Sequence, residues 1–341
     1  MSLLVTGGAG FIGSNFILDW LADSNELVIN LDKLTYAGNL KNLISLNNDP
    51  RHKFFKGCIG DNSLITKLMD KYKPRAIINF AAETHVDRSI IDPHIFLKTN
   101  IVDTFNILET IKSYWQKLPI IEKKSFRFIH ISTDEVYGSL KNESLAFTED
   151  SSYKPNSPYS ASKAASDHLV RSYFHTYGLP VLTTHASNNY GPHQFTEKLI
   201  PKVIHQCLSG NPIPIYGNGQ QIRDWLYVKD HCKAIMLILK DGKPGEVYNS
   251  GSQTEKTNIE VVNILCDLLD YLHPRTDLQS YRKQISYVED RPGHDQRYAI
   301  NANKIQQELG WKPIETFESG IRKTVEWYLA KYEETSISLS L

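Results

Sequence analysis

The sequence predicts an α/β protein built on a Rossmann-like, doubly wound parallel sheet, with a second, smaller α/β lobe. Short apolar runs alternate with helical patterns through the first half of the chain. A glycine turn, GGAGFIG (7–13), joins the first apolar run to the first helical pattern. After about residue 190, glycine and proline become frequent and the candidate elements shorten, which indicates the second lobe.

The candidate strands are apolar runs rich in valine and isoleucine. Because they lack an alternation of polar residues, they are typical of strands that helices cover on both faces. They are SLLVT (2–6), LVINLD (27–32), AIINFAA (76–82), FRFIHIS (126–132) and PVLTTHAS (180–187). Helical patterns lie between them at 11–22, 93–117 and 158–177. Ser157, Pro158 and Gly178 are suitable residues for the start and the end of the last helix.

The second half of the chain predicts shorter elements. They are helices near 229–240, 257–272 and 316–331 and strands near 246–249 and 285–288. A chain of 341 residues is long enough for about two domains. We therefore expect the sheet domain at 1–190, with some later segments returning to it, the smaller lobe mainly at 191–332, and a frayed tail at 333–341.

The charges balance, with 38 lysine and arginine residues against 38 aspartate and glutamate residues. A neutral chain has no overall field that would attract nucleic acid or an anionic membrane, so we expect neither as a partner. The first residues lack the pattern of a signal peptide, and no apolar stretch approaches the roughly 20 residues that span a bilayer. The cysteines, Cys58, Cys207, Cys232 and Cys266, show no metal-binding spacing, so we expect free thiols, no metal and a cytoplasmic location.

The glycine turn has the context of a dinucleotide-binding site. Small residues such as Gly7, Gly10 and Gly13 let the backbone approach a pyrophosphate, and the start of the following helix offers amide donors and a positive dipole end. Asp32 closes the second candidate strand. A carboxylate there accepts hydrogen bonds from a ribose diol and repels a 2′-phosphate, which favours NAD over NADP. The neighbouring Lys33 weakens that preference.

Tyr159 and Lys163, in YSASK (159–163), lie one helical turn apart and share a face. A phenol with a pKa of about 10 is a poor base unless nearby positive charge stabilises the phenolate. Lys163 and an oxidised nicotinamide ring would both supply that charge. The spacing alone is common on amphipathic helices, but beside a dinucleotide turn and a hydroxyl such as Thr133 it becomes specific for hydride-transfer chemistry.

Two adjacent acids, Asp134 and Glu135, follow Thr133 at the end of a buried strand candidate. Neighbouring carboxyl groups can hold opposite protonation states, because like-charge repulsion and desolvation separate their apparent pKa values. Such a pair can provide one general acid and one general base. From these residues alone, two solvated acids in a turn stay open as the alternative.

Motifs spread over nearly the whole chain resemble the extended short-chain dehydrogenase/reductase family, and in particular its nucleotide-sugar dehydratases. The Thr-Asp-Glu triplet (133–135) is the most specific part, because epimerases of the family usually carry small residues there and related decarboxylases carry Thr-Ser-Glu. The motifs are GGAGFIG (7–13), LDKLTYAGN (31–39), AAETHVDRSI (81–90), STDEVYG (132–138), SPYSASKAASDHLV (157–170), SNNYGP (187–192), EKLIP (197–201), RDWLYVKDH (223–231) and RPGHDQRYAI (291–300).

The resemblance implies a lyase that removes water from a nucleotide-activated hexose. It implies dTDP-glucose as the substrate, its 4-keto-6-deoxy derivative as the product and NAD as a cofactor that is not consumed. Tyr159 would take the O4 proton while Thr133 holds O4. Glu135 would accept the C5 proton, and Asp134 would protonate the departing C6 hydroxyl.

The resemblance also implies which residues contact each ligand. For the cofactor these are Gly7, Gly10, Phe11, Ile12, Gly13, Asp32, Lys33, Thr35, Cys58, Ile59, Ala81, Ala82, Thr99, Tyr159, Lys163 and Asn188. For the sugar nucleotide they are Thr84, Thr133, Asn189, Lys198, Leu199, Arg223, Asn258, Arg291, His294 and Tyr298. Cys58 departs from the family, which usually has Asp there against the adenine, so we expect Cys58→Asp to tighten NAD binding.

We also expect a homodimer paired through helices 93–117 and 158–177, which the resemblance implies. These helices carry more apolar residues than one sheet face requires, namely Phe96, Phe105, Ile107, Tyr114, Trp115, Tyr173 and Phe174.

Two other functions stay open. One is a sugar-nucleotide epimerase or decarboxylase, which the acid pair disfavours. The other is a non-catalytic NAD-binding protein on the same fold, because a fold does not determine a function. The residues themselves do not rank the nucleotide base of the substrate.

Overall fold

The computed structural model describes the backbone of residues 1–340 and the side chains of residues 1–334. The strands are β1 (Ser2–Thr6), β2 (Leu27–Asp32), β3 (His52–Lys56), β4 (Ala76–Asn79), β5 (Arg127–Thr133), β6 (Val181–Ala186), β7 (Asn188–Tyr190), β8 (Ile213–Tyr216), β9 (Ile222–Tyr227), β10 (Val247–Ser250), β11 (Glu255–Thr257) and β12 (Ile285–Val288). The α-helices are α1 (Phe11–Asp23), α2 (Asn62–Tyr72), α3 (Val86–Ile91), α4 (Pro93–Phe96), α5 (Thr104–Trp115), α6 (Ile120–Ser125), α7 (Pro158–Tyr177), α8 (Leu199–Leu208), α9 (Val228–Asp241), α10 (Asn258–Leu272), α11 (Asn303–Leu309) and α12 (Phe317–Ser340). Shorter 3-10 segments lie at Leu40–Leu46, Asp134–Tyr137 and Tyr281–Gln284, and a π-helical segment lies at Leu97–Asp103.

Seven parallel strands form the main sheet in the order β10-β6-β5-β4-β1-β2-β3. The strand order reverses between β1 and β4, and a doubly wound sheet binds its ligands at the carboxyl ends of the strands on either side of such a reversal. The predicted fold class is confirmed. The sequence analysis missed β3, because this edge strand (HKFFK) is charged and only half buried.

Helices cover both faces of this sheet. On one face, β5 contributes Phe128 to a core shared with α2, α5 and α7. On the other, it contributes Ile129 and Ile131 to a core shared with α1 and α9. Because side chains alternate along a strand, β5 is apolar on both faces, as the sequence predicts for a strand inside a three-layer structure.

Several segments beyond residue 190 lie against the main sheet rather than in the smaller lobe. Strand β10 pairs in parallel with β6 at the sheet edge. Ile235 and Ile238 of α9 and Ile305 of α11 belong to the core that covers β1 and β5. The sheet domain is therefore assembled from two separated parts of the chain.

The smaller lobe has its own apolar core, which α8, α10, α12 and two short sheets form together. Trp225 of β9 belongs to this core. Its sheets are β11-β9-β7 and β12-β8. Helix α12 continues to Ser340, so it includes most of the segment that we expected to fray. None of the helices within residues 1–340 is long and apolar enough to cross a membrane.

The predicted helix at 93–117 is not continuous. It consists of α4, the π-helical segment Leu97–Asp103 and α5. The π segment turns Asn100 inward, where its side chain accepts a hydrogen bond from the Glu83 amide (2.9 Å) and donates to the Glu83 carbonyl (3.0 Å) and the Ser162 hydroxyl (2.8 Å). Such wider turns occur frequently at functional sites.

Candidate active site

A cleft with an empty volume of about 1580 Å³ lies at the carboxyl ends of β1, β2, β4, β5 and β6. Most of the residues expected to bind the cofactor or to act in catalysis meet there. The predicted residues that line the cleft are Gly7, Gly10, Phe11, Ile12, Gly13, Asp32, Lys33, Thr35, Ile59, Ala81, Ala82, Thr84, Thr99, Thr133, Asp134, Glu135, Tyr159, Lys163, Asn188, Asn189 and Lys198.

The glycine turn leaves no room for side chains beneath it. Gly7 has a φ of +70°, and a Cβ there would lie 2.6 Å from the Ala81 amide nitrogen. A Cβ on Gly13 would lie 2.4 Å from the Gly7 carbonyl oxygen. Helix α1 begins after Gly10 without a side-chain cap, so its first amides remain available to a ligand. This turn fits the pyrophosphate of NAD.

Asp32 is held rigidly at the end of β2. Its carboxylate accepts hydrogen bonds from the amides of Ala9 (2.9 Å) and Leu34 (2.7 Å). Burial raises the pKa of Asp32, and these two amides oppose the rise. Each carboxylate oxygen can accept more than one hydrogen bond, so the group can still bind a ribose diol at the cleft wall. The residues around the turn therefore fit NAD.

Helix α7 presents Tyr159 and Lys163 to the cleft. Ser157 and Ser160 form a capping box at its start. The Lys163 ammonium donates to the Ile131 carbonyl at 2.8 Å, and burial lowers the pKa of Lys163 to about 8 against the opposing charge of Asp167. Burial also raises the pKa of Tyr159 well above its ordinary value. Without added positive charge, the phenol therefore keeps its proton.

The acid pair occupies the first turn after β5. Thr133 caps this turn by accepting a hydrogen bond from the Glu135 amide (3.3 Å). Asp134 is only 2% exposed, and its Oδ2 has no hydrogen-bond partner among the described residues. Asp134 is therefore buried and Glu135 beside it is half-buried, so the pair is not a solvated turn.

The surroundings separate the two carboxyl groups electrostatically. Burial raises the pKa of Asp134 well above its ordinary value, and the charge of Glu135 raises it further. Burial also raises the pKa of Glu135, but Lys198, Arg223 and Arg291 oppose that rise. Protonation is thus favoured more strongly at Asp134 than at Glu135.

The predicted substrate residues divide into two groups. Thr84, Thr133, Asn189 and Lys198 line the cleft, and the Lys198 ammonium donates to the Thr84 carbonyl at 2.8 Å. The other predicted substrate residues are not among those that line the cleft, and neither is the cofactor residue Cys58. These are Cys58, Leu199, Arg223, Asn258, Arg291, His294 and Tyr298.

Several of the predicted residues that do not line the cleft form ion pairs, hydrogen bonds or ring contacts within the protein. The Arg223 guanidinium lies 4.3 Å from the centroid of the Tyr298 ring and donates to the Asp295 carbonyl at 2.9 Å. Arg291 pairs with Asp87 at 2.7 Å. His294 pairs with Asp290 at 2.6 Å, and Asn258 begins α10 with its amide bonded to the Gln221 carbonyl. Leu199 packs against the core of the smaller lobe.

Cys58 does not line the cleft, although its neighbours Gly57 and Ile59 do. Its thiol lies 3.4 Å from Oδ2 of the buried Asp103, which also pairs with Lys98. A carboxylate at position 58 would face Asp103 and be repelled by it. The expectation that Cys58→Asp tightens NAD binding stays a prediction, and any gain in affinity has to exceed this repulsion between the two carboxylates.

The sequence analysis missed a set of contacting residues at the cleft, two of which, Phe195 and Glu197, line it. Tyr36 contacts Phe195 edge to face (5.8 Å between ring centroids), and the Arg88 guanidinium lies 3.7 Å from the centroid of the Tyr36 ring. Glu197 lies 3.5 Å from His85 and 3.9 Å from Arg88. Glu197 stands beside the predicted Lys198, which was the signal that could have pointed to it. The ring contacts join loops that are distant in sequence, so no local sequence pattern could predict them.

A family model described as GDP-mannose 4,6 dehydratase matches residues 4–324. The chain is 58% identical to a dTDP-glucose 4,6-dehydratase of Xanthomonas campestris pv. campestris (strain B100), over 96% of this chain and 92% of that protein. It is 55% identical to a dTDP-glucose 4,6-dehydratase of Salmonella typhimurium (strain LT2), over 97% and 93%.

Solved structures give the same result. A dTDP-glucose 4,6-dehydratase of Bacillus anthracis in complex with NAD is 44% identical, with a TM-score of 0.86 and 98% of both chains covered. One of Streptomyces venezuelae, with NAD and a dTDP ligand bound, is 43% identical, with a TM-score of 0.89 and 98% of both chains covered. These matches confirm the resemblance to nucleotide-sugar dehydratases.

Asp32→Ala is expected to weaken NAD binding roughly 10- to 100-fold, the effect of losing about 1.5–3 kcal/mol of hydrogen bonding to a charged group. It should also relax the rejection of NADP, because the carboxylate that repels a 2′-phosphate is gone. Equilibrium titration with both dinucleotides measures the two effects.

Asp32→Asn is the matched control, since it keeps an acceptor for the Ala9 or Leu34 amide but removes the charge. It should relax the rejection of NADP with less loss of stability. An unchanged preference for NAD in both variants would show that the ribose contact is wrongly assigned.

Proposed function

The chain belongs to the family that the GDP-mannose 4,6 dehydratase model describes, and we propose that it is an NAD-dependent lyase converting dTDP-glucose to dTDP-4-keto-6-deoxyglucose. One observation carries the proposal: Thr133, Asp134 and Glu135 at the end of β5 share a cleft with Tyr159 and Lys163 of α7. An epimerase has no use for a buried acid and base beside the tyrosine. Solved UDP-glucose 4-epimerases have the same fold at only 26% to 28% identity.

The C5 proton of a hexose is not acidic until C4 is a ketone, so oxidation at C4 must come first. The elimination of water that follows needs a base at C5 and an acid at the C6 hydroxyl, which the acid pair can provide. When bound, NAD supplies the oxidation at C4 and the later reduction at C6. We assign the O4 proton to the Tyr159 phenol oxygen and the positioning of O4 to the Thr133 hydroxyl. The Lys163 ammonium contributes positive charge that favours the phenolate.

We assign the elimination of water to the two carboxyl groups. Glu135 is the base, because Lys198, Arg223 and Arg291 favour its carboxylate form. Asp134 is the acid, because burial and the charge of Glu135 keep it protonated. Its unpartnered Oδ2 is the atom from which a proton can pass to the departing C6 hydroxyl. The division rests on two environments that separate the pKa values of adjacent acids.

We assign the substrate diphosphate to Lys198, Arg223 and Arg291. Arginine suits phosphate because its planar fork of donors matches two oxygens. The start of α8 adds support, since it has no side-chain cap and follows Lys198 directly. Asn189, Leu199, Asn258, His294 and Tyr298 complete the proposed site as polar or packing partners.

We further propose a homodimer. The support is an apolar patch on the π segment and its neighbours, formed by Ile95 (40% exposed), Leu97 (46%), Val102 (45%) and Phe105 (44%). Of the apolar residues named from the sequence, Phe105 alone belongs to this patch. Phe96, Ile107, Tyr114 and Tyr173 are buried within one chain, so that part of the reasoning was wrong.

The cysteines support a cytoplasmic location, which we also propose. All four are free thiols, and Cys207, Cys232 and Cys266 are buried. Free thiols are typical of proteins in a reducing compartment.

The function is tested with dTDP-glucose deuterated at C4. The product should carry that label at C6, and in deuterated water a solvent deuteron should appear at C5. UDP-glucose and GDP-mannose, assayed in parallel, test the nucleotide preference. Loss of the C4 label to solvent, or its retention at C4, would refute the proposed reaction.

Glu135→Gln is expected to slow product formation by about 10²–10⁴-fold, the usual effect of losing a general base. Oxidation at C4 should survive, so absorbance of reduced nicotinamide should appear while little product is released. Tyr159→Phe should show neither signal.

Glu143→Gln is a matched control, because Glu143 is an exposed glutamate outside the cleft. It should leave turnover unchanged. Full turnover in Glu135→Gln would mean that the acid pair takes no part in the elimination.

The dimer is tested with Phe105→Glu, which places a charge in the apolar patch. Light scattering of the unchanged protein should give about twice the chain mass of 38.9 kDa, and the variant should shift toward 38.9 kDa. Ile121→Glu, at an 83% exposed residue of α6, is the control and should remain dimeric. A monomeric unchanged protein at micromolar concentration would contradict the proposal.

A further inference from the structure

A buried carboxylate lies one helical turn beyond Lys163 on α7. Asp167 is 4% exposed. Its Oδ2 accepts hydrogen bonds from the Ser132 hydroxyl (2.8 Å) and the Tyr153 hydroxyl (3.3 Å) and lies 3.0 Å from Nε2 of His185. The assigned steps of the reaction do not use this group, although a buried charge is costly unless it has a function or partners.

The His130 imidazole lies close to both this carboxylate and Lys163, and its Nε2 is 3.2 Å from the Ser166 hydroxyl. Its Nε2 lies 3.3 Å from Oδ1 of Asp167 and 3.4 Å from Nζ of Lys163. Its Nδ1 lies 3.3 Å from the Asn79 amide nitrogen, whose Oδ1 accepts from Thr6. The Asn79 amide therefore donates to Nδ1, so Nε2 carries the proton of a neutral imidazole.

The groups around Asp167 leave it as the charge that balances Lys163. Burial would raise the pKa of Asp167, but hydrogen bonding from His130 and His185 outweighs burial and holds it below its ordinary value. Burial lowers the pKa of His130 to about 4, with Lys163 adding to the fall, so this imidazole is neutral. Tyr137, Tyr153 and Tyr159 also face the cluster, and their raised pKa values keep them uncharged. The charged groups that act on these tyrosines are Asp134, Glu135, Glu149 and Arg171.

We propose that Asp167 is a positioning residue for the hydride-transfer step, which acts through Lys163 as the buried counter-ion that keeps this ammonium group protonated. Lys163 is 3% exposed, so water contributes little to stabilising its charge. The Ile131 carbonyl gives it one hydrogen bond but no negative charge. Asp167 supplies that charge without competing for the ammonium face that is needed at the cleft.

The direction in which the Lys163 pKa should shift follows from electrostatics. A negative charge near an ammonium group stabilises the charged form and raises its pKa, so removal of the charge must lower the pKa of Lys163. Tyr159 and Lys163 titrate as a coupled pair, and both of its macroscopic pKa values should fall. The whole pH profile of C4 oxidation should then move toward lower pH, in addition to any loss of rate. A residue that only supports packing would lower the rate without moving both limbs.

Asp167→Asn tests this, because it keeps the shape and removes the charge. In protein containing ¹³C-labelled lysine, the Lys163 signal is assigned by its absence from Lys163→Met. Its pKa should fall by about 1 unit or more from the value near 8 in the unchanged protein. The bell-shaped profile of C4 oxidation should move in the same direction. An unchanged Lys163 pKa in Asp167→Asn would overturn the proposal.

Tyr153→Phe is the control, since it removes one hydrogen bond to Asp167 and keeps the carboxylate. It should leave the Lys163 titration where it is, and an equal shift in this variant would also overturn the proposal. Asp167→Glu, which keeps the charge, should restore a Lys163 pKa above that of Asp167→Asn.

If Asp167→Asn does not fold, titration of the unchanged protein still decides the matter. Lys163 neutral at pH 7, or Asp167 protonated there by infrared spectroscopy, would refute the proposal. The inference rests on the proposed function for its catalytic meaning, but the titration uses no substrate. A chain that shows the shift and does not dehydrate dTDP-glucose would refute the proposed function alone.

Discussion

Desolvation of ionisable groups at the carboxyl edge of the main sheet is the constraint on which the rest of the site depends. Asp134, Tyr159 and Lys163 are each at least nine-tenths buried, and burial is the largest influence on the pKa of each. In every case it favours the uncharged form. The fold must therefore supply a specific charge or hydrogen bond wherever the chemistry requires an ion. The cations around Glu135 and the carboxylate of Asp167 meet that requirement.

Strand β5 and helix α7 supply these charges and hydrogen bonds through the regular spacing of their side chains. Alternation along β5 turns His130 and Ser132 toward α7, while Ile129 and Ile131 belong to the core on the other face. A spacing of four residues along α7 places Tyr159, Lys163 and Asp167 on one stripe that faces the sheet. The polar network thus follows from two secondary-structure repeats that cross each other, with apolar packing on either side.

Local motifs carried most of what could be predicted from the sequence. The glycine turn with Asp32, and Tyr159 with Lys163, each lie within a few residues of a strand or helix boundary, so their geometry follows from the element itself. Strand β3 was missed because an edge strand is not buried on both faces. Asn100, His185 and Asp167 act through partners that are 17 to 62 residues away in the chain. No periodicity in one segment can reveal contacts of that kind.

The chain is neutral overall, yet a nucleotide-sugar substrate is an anion. The way in which the two lobes meet explains how a neutral chain can offer positive charge to it. The smaller lobe contributes Lys198, Arg223 and Arg291, and their charges act on Glu135 of the sheet domain. Lys198 donates a hydrogen bond to the Thr84 carbonyl of the sheet domain. Phe195, which lines the cleft, packs against Tyr36 of the sheet domain. The positive charge is therefore concentrated where the lobes join and is balanced elsewhere. Because this concentration exists only after the lobes have docked, the overall charge of the chain does not reveal the proposed diphosphate site.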